Sequence, residues 1–103
     1  MKPIFRKSFT LRPDKLCRGA YYDYKGKHCA IGQYLQACGV DDKSMCGPSF
    51  LQVVGLDSTF LPDVYRIQRV NDKCYGHRRL NMLRKEFAKP GIRMRPPRKA
   101  SKS

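Results

Sequence analysis

No apolar stretch in this sequence approaches the roughly 18 residues that a bilayer-crossing helix needs. A transmembrane segment is therefore not expected. The opening Met1-Lys2-Pro3-Ile4-Phe5-Arg6-Lys7 has charge but no apolar run behind it, which does not fit a secretory signal and leads to the expectation of a cytoplasmic protein. Close-set cysteine pairs are missing too: the five cysteines are odd in number and scattered, which favours reduced thiols over a disulfide framework. The Gly-x(4)-Gly-Lys-Ser/Thr frame of a phosphate loop is absent, so Gly26-Lys27 reads as a turn. There is no helix-turn-helix, zinc-finger or RNP-type signature, which removes support for base-specific readout. Internal repeats are also lacking.

Acids are the scarcest group relative to their opposites. The chain of 103 residues has 22 Lys and Arg against 8 Asp and Glu, a formal charge of +14. Such an excess costs self-repulsion in the folded state and usually serves an acidic partner or a polyanion. The charge is segregated. Residues 1–27 hold eight basic side chains against two acids, residues 28–65 hold one against four, and residues 66–103 hold thirteen against two. Length and hydrophobic content (41%) fit one small domain with a compact core and little apolar material to spare for a deep substrate pocket. We expect a compact basic domain over 1–95 and a flexible basic tail over 96–103, which has nothing to bury.

Alternation predicts a strand over Ile4 to Leu11, with Phe5, Phe9 and Leu11 on one face, ended by Arg12-Pro13-Asp14. Ala20 to Tyr24 is a short extended piece leading to a turn at Lys25-Gly26-Lys27. The apolar stripe Ala30, Ile31, Tyr34, Leu35 and Cys38 predicts a helix from Cys29 to Cys38, with Gly39 as a left-handed cap and Val40 as its apolar companion. No charge falls between His28 and Val40, so this helix should be the buried centre. Asp41-Asp42 starts a short helical turn closed by Gly47-Pro48; Phe50 to Val54 is apolar and ambiguous; Gly55 to Pro62 reads as loop. Val64 to Val70 is weakly helical and Asn71-Asp72 breaks it. A second principal helix runs from Gly76 to Ala88 with Leu80, Leu83 and Phe87 inward, stopped by Pro90-Gly91. Ile92 to Arg95 alternates as a strand with Ile92 and Met94 inward. The expected fold is α+β: a small single domain with two main helices on a short sheet that includes the terminal strands.

Arg18-Gly19, Gly26-Lys27-His28-Cys29-Ala30-Ile31-Gly32, Ala37-Cys38-Gly39-Val40, Asn71-Asp72, Leu80 to Phe87 and Gly91-Ile92 together span most of the chain. In these pieces the sequence resembles a group of small accessory proteins of phage and bacterial genomes. His28-Cys29 stands where that group has a Cys-Cys pair, and the Pro96-Pro97 tail is an addition. The resemblance implies a phage or prophage protein of mixed α/β fold, placed in the host cytoplasm, and implies no activity.

Cys17, His28, Cys29, Cys38, Cys46, Cys74 and His77 are the possible zinc ligands, but only Cys74-x-x-His77 has ligand-like spacing, and no metal site is expected. Cys29 beside His28 is the one arrangement resembling an activated thiol, yet neighbours on a helix do not face each other. Asp41-Asp42 reads as a helix cap rather than an acid/base pair. No catalytic residue, no cofactor and no small-molecule substrate are expected.

The basic face differs in kind. Arg78, Arg79, Arg84, Lys85 and Lys89 belong to one helix; Arg93, Arg95, Arg98 and Lys99 follow; and Glu86 is the only acid after Asp72. Such a surface neutralises phosphates and releases counterions. Arg18, Lys25 and Lys27 add to it, and Tyr21 and Tyr24 are candidates for stacking on unpaired bases, whereas Tyr22 reads as packing. The expected partner is nucleic acid, DNA or RNA. The rival is an acidic host protein surface met by a protein-binding modulator through the same residues.

Overall fold

The computed structural model describes residues 5–19, 21–23, 25–45 and 61–96. The helix without charge is its centre. It forms α1 (Ala30–Ala37), in which every residue from Ala30 to Leu35 is buried. At its start the Cys29 sulfur accepts the Gly32 N–H at 3.3 Å. At its end Gly39 takes a φ of 95°, its N–H bonding the Gln36 carbonyl at 3.1 Å and the Val40 N–H reaching back to Leu35 O at 3.0 Å. That bond pair with a left-handed glycine is the Schellman closure, and buried Val40 supplies its apolar contact.

Two 13-residue helices pack with it, α2 (Leu61–Lys73) and α3 (Gly76–Ala88). The expectation of two principal helices is corrected to three. The apolar spacing of Val64, Ile67 and Val70 extends into the Asn71 position, which is fully buried rather than a break, and the helix runs on to Lys73. Pro62 sits in its first turn, where a missing N–H costs nothing. In α3, Leu83 and Phe87 are fully buried and Leu80 partly so. This helix closes as α1 does, with Gly91 N–H on Ala88 O and Ile92 N–H on Phe87 O, both at 2.9 Å.

Two short strands, β1 (Ser8–Thr10) and β2 (Arg93–Arg95), pair in parallel with Ser8 opposite Arg93, Phe9 opposite Met94 and Thr10 opposite Arg95. Alternation puts Phe9 and Met94 on the core side and leaves Arg93 and Arg95 in solvent. The Phe9 ring meets Tyr34 edge-on at 5.3 Å and Phe87 at 4.8 Å, an aromatic cluster joining the sheet to α1 and α3. The first strand is shorter than the alternation predicts. Phe5 is 41% exposed and so does not share the buried face of Phe9 and Leu11. Pro13–Lys15 and Asp42–Met45 form single 3-10 turns. The expectations for Gly47-Pro48, Phe50 to Val54 and the tail beyond Pro96 lie outside the described residues, as does the placement of Ile4 and Tyr24. The loop expected over Gly55 to Pro62 lies outside them as far as Phe60 and is corrected at its end, where Leu61 and Pro62 already belong to α2. No described helix is long and apolar enough to cross a membrane.

Candidate functional site

The basic residues of α3 separate into two adjoining stripes. Arg78 and Lys85, seven residues apart, lie on the solvent face; Arg84, with Ala88 one turn on, looks toward β2. Between this second stripe and β2 runs an open groove of about 620 Å³ lined by Arg84, Ala88, Gly91, Ile92, Arg93, Met94, Arg95 and Pro96. Three arginines and, among the described residues, no acid line it. The β1 side of β2 is taken by the ladder, with Arg93 N–H on Lys7 O at 2.7 Å and Leu11 N–H on Arg95 O at 3.0 Å. The groove lies along the opposite edge of β2, which no strand pairs among the described residues.

Glu86, the lone acid of this region, is withdrawn from the surface field by two cations. Arg66 Nε donates to Glu86 Oε1 at 2.8 Å, while Lys89 Nζ reaches both carboxylate oxygens at 3.1 Å. Arg66 also bonds Asp63, so the cluster ties α2 to α3. The Arg66 and Lys89 partners hold the Glu86 carboxyl below its usual range. Lys89 is thereby engaged within the fold. Arg78, Arg84, Lys85, Arg93 and Arg95 make no side-chain ion pair or hydrogen bond among the described residues.

Arg18 stands apart from that face. Its guanidinium donates to Asp72 O at 2.8 Å and Cys74 O at 3.0 Å, the carbonyls left unpaired at the end of α2. The neighbouring Gly19 N–H bonds Asp72 Oδ1 at 3.1 Å. Asn71 accepts from Ala30 N–H at 3.0 Å through its side-chain oxygen and donates from its amide nitrogen to Cys17 O at 2.8 Å. Arg18-Gly19, Cys29-Ala30 and Asn71-Asp72 thus meet in one knot that joins the start of α1 to the end of α2. Arg79 comes close enough to Arg18 that burial and the like charge push its pKa down. Its Nε is buried with no hydrogen-bond partner.

Lys25 and Lys27 are exposed on a turn held by Asp23, whose Oδ1 accepts both their N–H groups at 2.8 and 2.9 Å. These bonds hold the Asp23 carboxyl below its usual range. Gly26 of that turn borders a second groove, of about 310 Å³, with Arg12, Lys15 and Gln33 among its lining. Tyr21 is half-buried and packed against the core, with burial pushing its hydroxyl pKa up. Tyr22 stacks on His28 at 4.8 Å, the packing role expected of it. Tyr24, Arg98 and Lys99 lie outside the described residues.

The Cys29 thiol is fully buried and donates to Gln68 Oε1 at 3.1 Å, while His28 Nε2 meets Asp42 Oδ1 at 2.7 Å. Burial pushes the Cys29 pKa up to about 12, so the neutral thiol is the resident form and no thiolate–imidazole pair exists here. Among the described residues no group of three or more His, Cys, Asp or Glu could hold a metal ion.

One exposed residue escaped the pattern reading. Tyr75, at the N-terminal boundary of α3, is 71% exposed and has Arg18 over its ring at 4.0 Å from the centroid. An isolated tyrosine between Cys74 and Gly76 carries no periodic signal, and its partner is 57 positions away. Comparison with known protein families, curated proteins and solved structures finds no match to this chain.

Proposed function

We propose that this protein is a non-enzymatic basic accessory protein of phage type, acting in the host cytoplasm and binding nucleic acid, DNA or RNA, largely through phosphate contacts. The observation that carries the reading is the groove along β2, where Arg84, Arg93 and Arg95 converge with no acid among the described lining residues. Guanidinium groups suit phosphate oxygens because their planar donors engage two acceptors at once and shed water readily. Phosphates would supply the counter-charge that the fold withholds from Arg78, Arg84, Lys85, Arg93 and Arg95. The containment of Glu86 by Arg66 and Lys89 supports the same reading, since it removes the one repulsive charge from the surface facing the polyanion. Lys25 and Lys27 extend the basic surface on their own turn.

Fluorescence anisotropy with generic duplex DNA and structured RNA, from about 50 to 200 mM salt, tests this. Affinity should fall linearly on a log–log plot. Five phosphate contacts correspond to a slope of about −4.5 on duplex DNA, and an Arg84→Ala/Arg93→Ala/Arg95→Ala variant that retains its circular dichroism should have a slope shallower by about 3. Absence of binding at about 50 mM salt, where such contacts are strongest, sinks the reading and leaves an acidic protein surface as the partner.

A further inference from the structure

We infer that Tyr75, backed by Arg18 and flanked by Arg79, is a subsite for one unpaired nucleotide, with the ring as stacking platform and Arg79 as the phosphate contact. The inference rests on the nucleic-acid reading above and deepens it, by assigning single-stranded segments as the preferred form.

Three large apolar side chains stand exposed among the described residues: Phe5, Tyr65 and Tyr75, with Tyr75 the most exposed at 71%. Single exposed apolar residues are ordinary and need no explanation. Tyr75 differs because its surroundings are built. The Arg18 guanidinium covers one face of the ring at 4.0 Å and is itself fixed by the carbonyls of Asp72 and Cys74. Tyr75 is held from the backbone side too, its carbonyl accepting the Arg79 N–H at 3.2 Å. A ring backed by Arg18 on one side leaves its other face for a base, and base–aromatic stacking tolerates any base. Cation–π contact with Arg18 adds a positive charge directly behind the stack.

The second half of the subsite is Arg79. It sits beside Arg18, a like charge, without an acid of its own, and its Nε lacks an acceptor among the described residues. Asp72, whose backbone carbonyl Arg18 holds, turns its Oδ1 to Gly19 N–H and Asn71 Nδ2 and belongs to the knot. Its Nε is closed off from solvent, but the terminal nitrogens of the half-exposed Arg79 side chain are not. A phosphate there brings the charge that the two guanidinium groups lack and offers several acceptor oxygens. Arg78, exposed on the next position, continues toward Lys85 and the β2 groove, so a strand stacked at Tyr75 has a basic path to follow.

The test compares a single-stranded oligonucleotide with the duplex of the same sequence, on wild type, Tyr75→Ala, Tyr75→Trp and Arg79→Gln. Tyr75→Ala should weaken single-strand binding roughly tenfold and leave duplex binding within about twofold. Tyr75→Trp introduces the only tryptophan of the chain, and its fluorescence should be quenched on single-strand binding. Arg79→Gln should flatten the single-strand salt slope by about 0.7, one phosphate. Equal losses on both forms, or an unquenched tryptophan in a variant that still binds, overturn the subsite while leaving the nucleic-acid reading intact. Failure of wild type to bind either form overturns both. Arg18 is left unaltered because its loss would also uncap α2.

Discussion

Asn71 shows how much of this fold rests on single side chains. It has no exposed surface, and its amide links the first N–H of α1 to the Cys17 carbonyl across 41 and 54 positions of sequence. Gly32 is equally constrained for a steric reason. A Cβ there would lie 2.2 Å from the Tyr21 carbonyl oxygen, and that oxygen is held in place by the Cys29 N–H at 3.2 Å. Gly32→Ala should therefore destabilise by about 3 kcal/mol, a drop in Tm of more than about 10 °C for a domain of this size. Thermal unfolding followed by circular dichroism measures it, and a change under about 2 °C would show that the carbonyl moves freely. Both residues stand in short stretches that the sequence singles out, Gly26 to Gly32 and Asn71-Asp72, yet the convergence of those stretches is not legible there. Adjacent letters say nothing about contacts 40 or more positions away. The second role of Arg18, clamping the Asp72 and Cys74 carbonyls at the end of α2, is hidden in the sequence for the same reason.

Among the elements, α1, α3 and β2 were legible because each carries an uninterrupted period, 3.6 in the helices and 2 in the strand, with a glycine stop where a helix ends. The helix α2 was cut short in the sequence reading because Asn and Asp usually interrupt helices. Here the buried amide offsets that propensity by capping a neighbour. The coupling of α2 to α3 through Arg66, Glu86 and Lys89 makes a pH prediction. Glu86 has a folded pKa below its unfolded value of about 4.3, so its contribution is present above that value and is lost as pH falls through the folded pKa. Glu86→Gln should cost about 1 kcal/mol at neutral pH, allowing for the exposure of Arg66 and Lys89. The gap between wild type and variant should close as the solution is acidified below about pH 4. Urea titrations at several pH values read this directly; a gap independent of pH would mean that the carboxylate charge is irrelevant to the α2–α3 junction.

For the whole molecule, the charge segregation seen along the chain becomes a spatial one: a neutral helix in the middle and basic groups on α3, β2 and the Lys25 turn. Composition made that division legible, but not the groove, which depends on α3 and β2 lying side by side. Cys29 reports on the integrity of the whole arrangement. Fully buried and held as neutral thiol, it should resist alkylation at pH 8 until the domain opens, while half-buried Cys74 is modified before it. Mass spectrometry of labelled peptides across a urea series should place the Cys29 step at the global unfolding midpoint; rapid labelling in native buffer would show that the knot opens separately.

The pairing of β1 with β2 has a consequence in time as well as in space. Strands from residues 8–10 and 93–95 meet directly, so during synthesis Phe9 waits on almost the entire described chain before Met94 exists to cover it. Closure over so long a separation is slow, because the entropy of ordering the intervening chain is lost before the contact forms. The later-made of the two paired strands is thus the latch of the fold, and it is also the strand that presents Arg93 and Arg95. A ribosome-bound chain that has not yet released β2 has neither a finished core nor a finished groove, so binding competence should arrive together with folding rather than ahead of it.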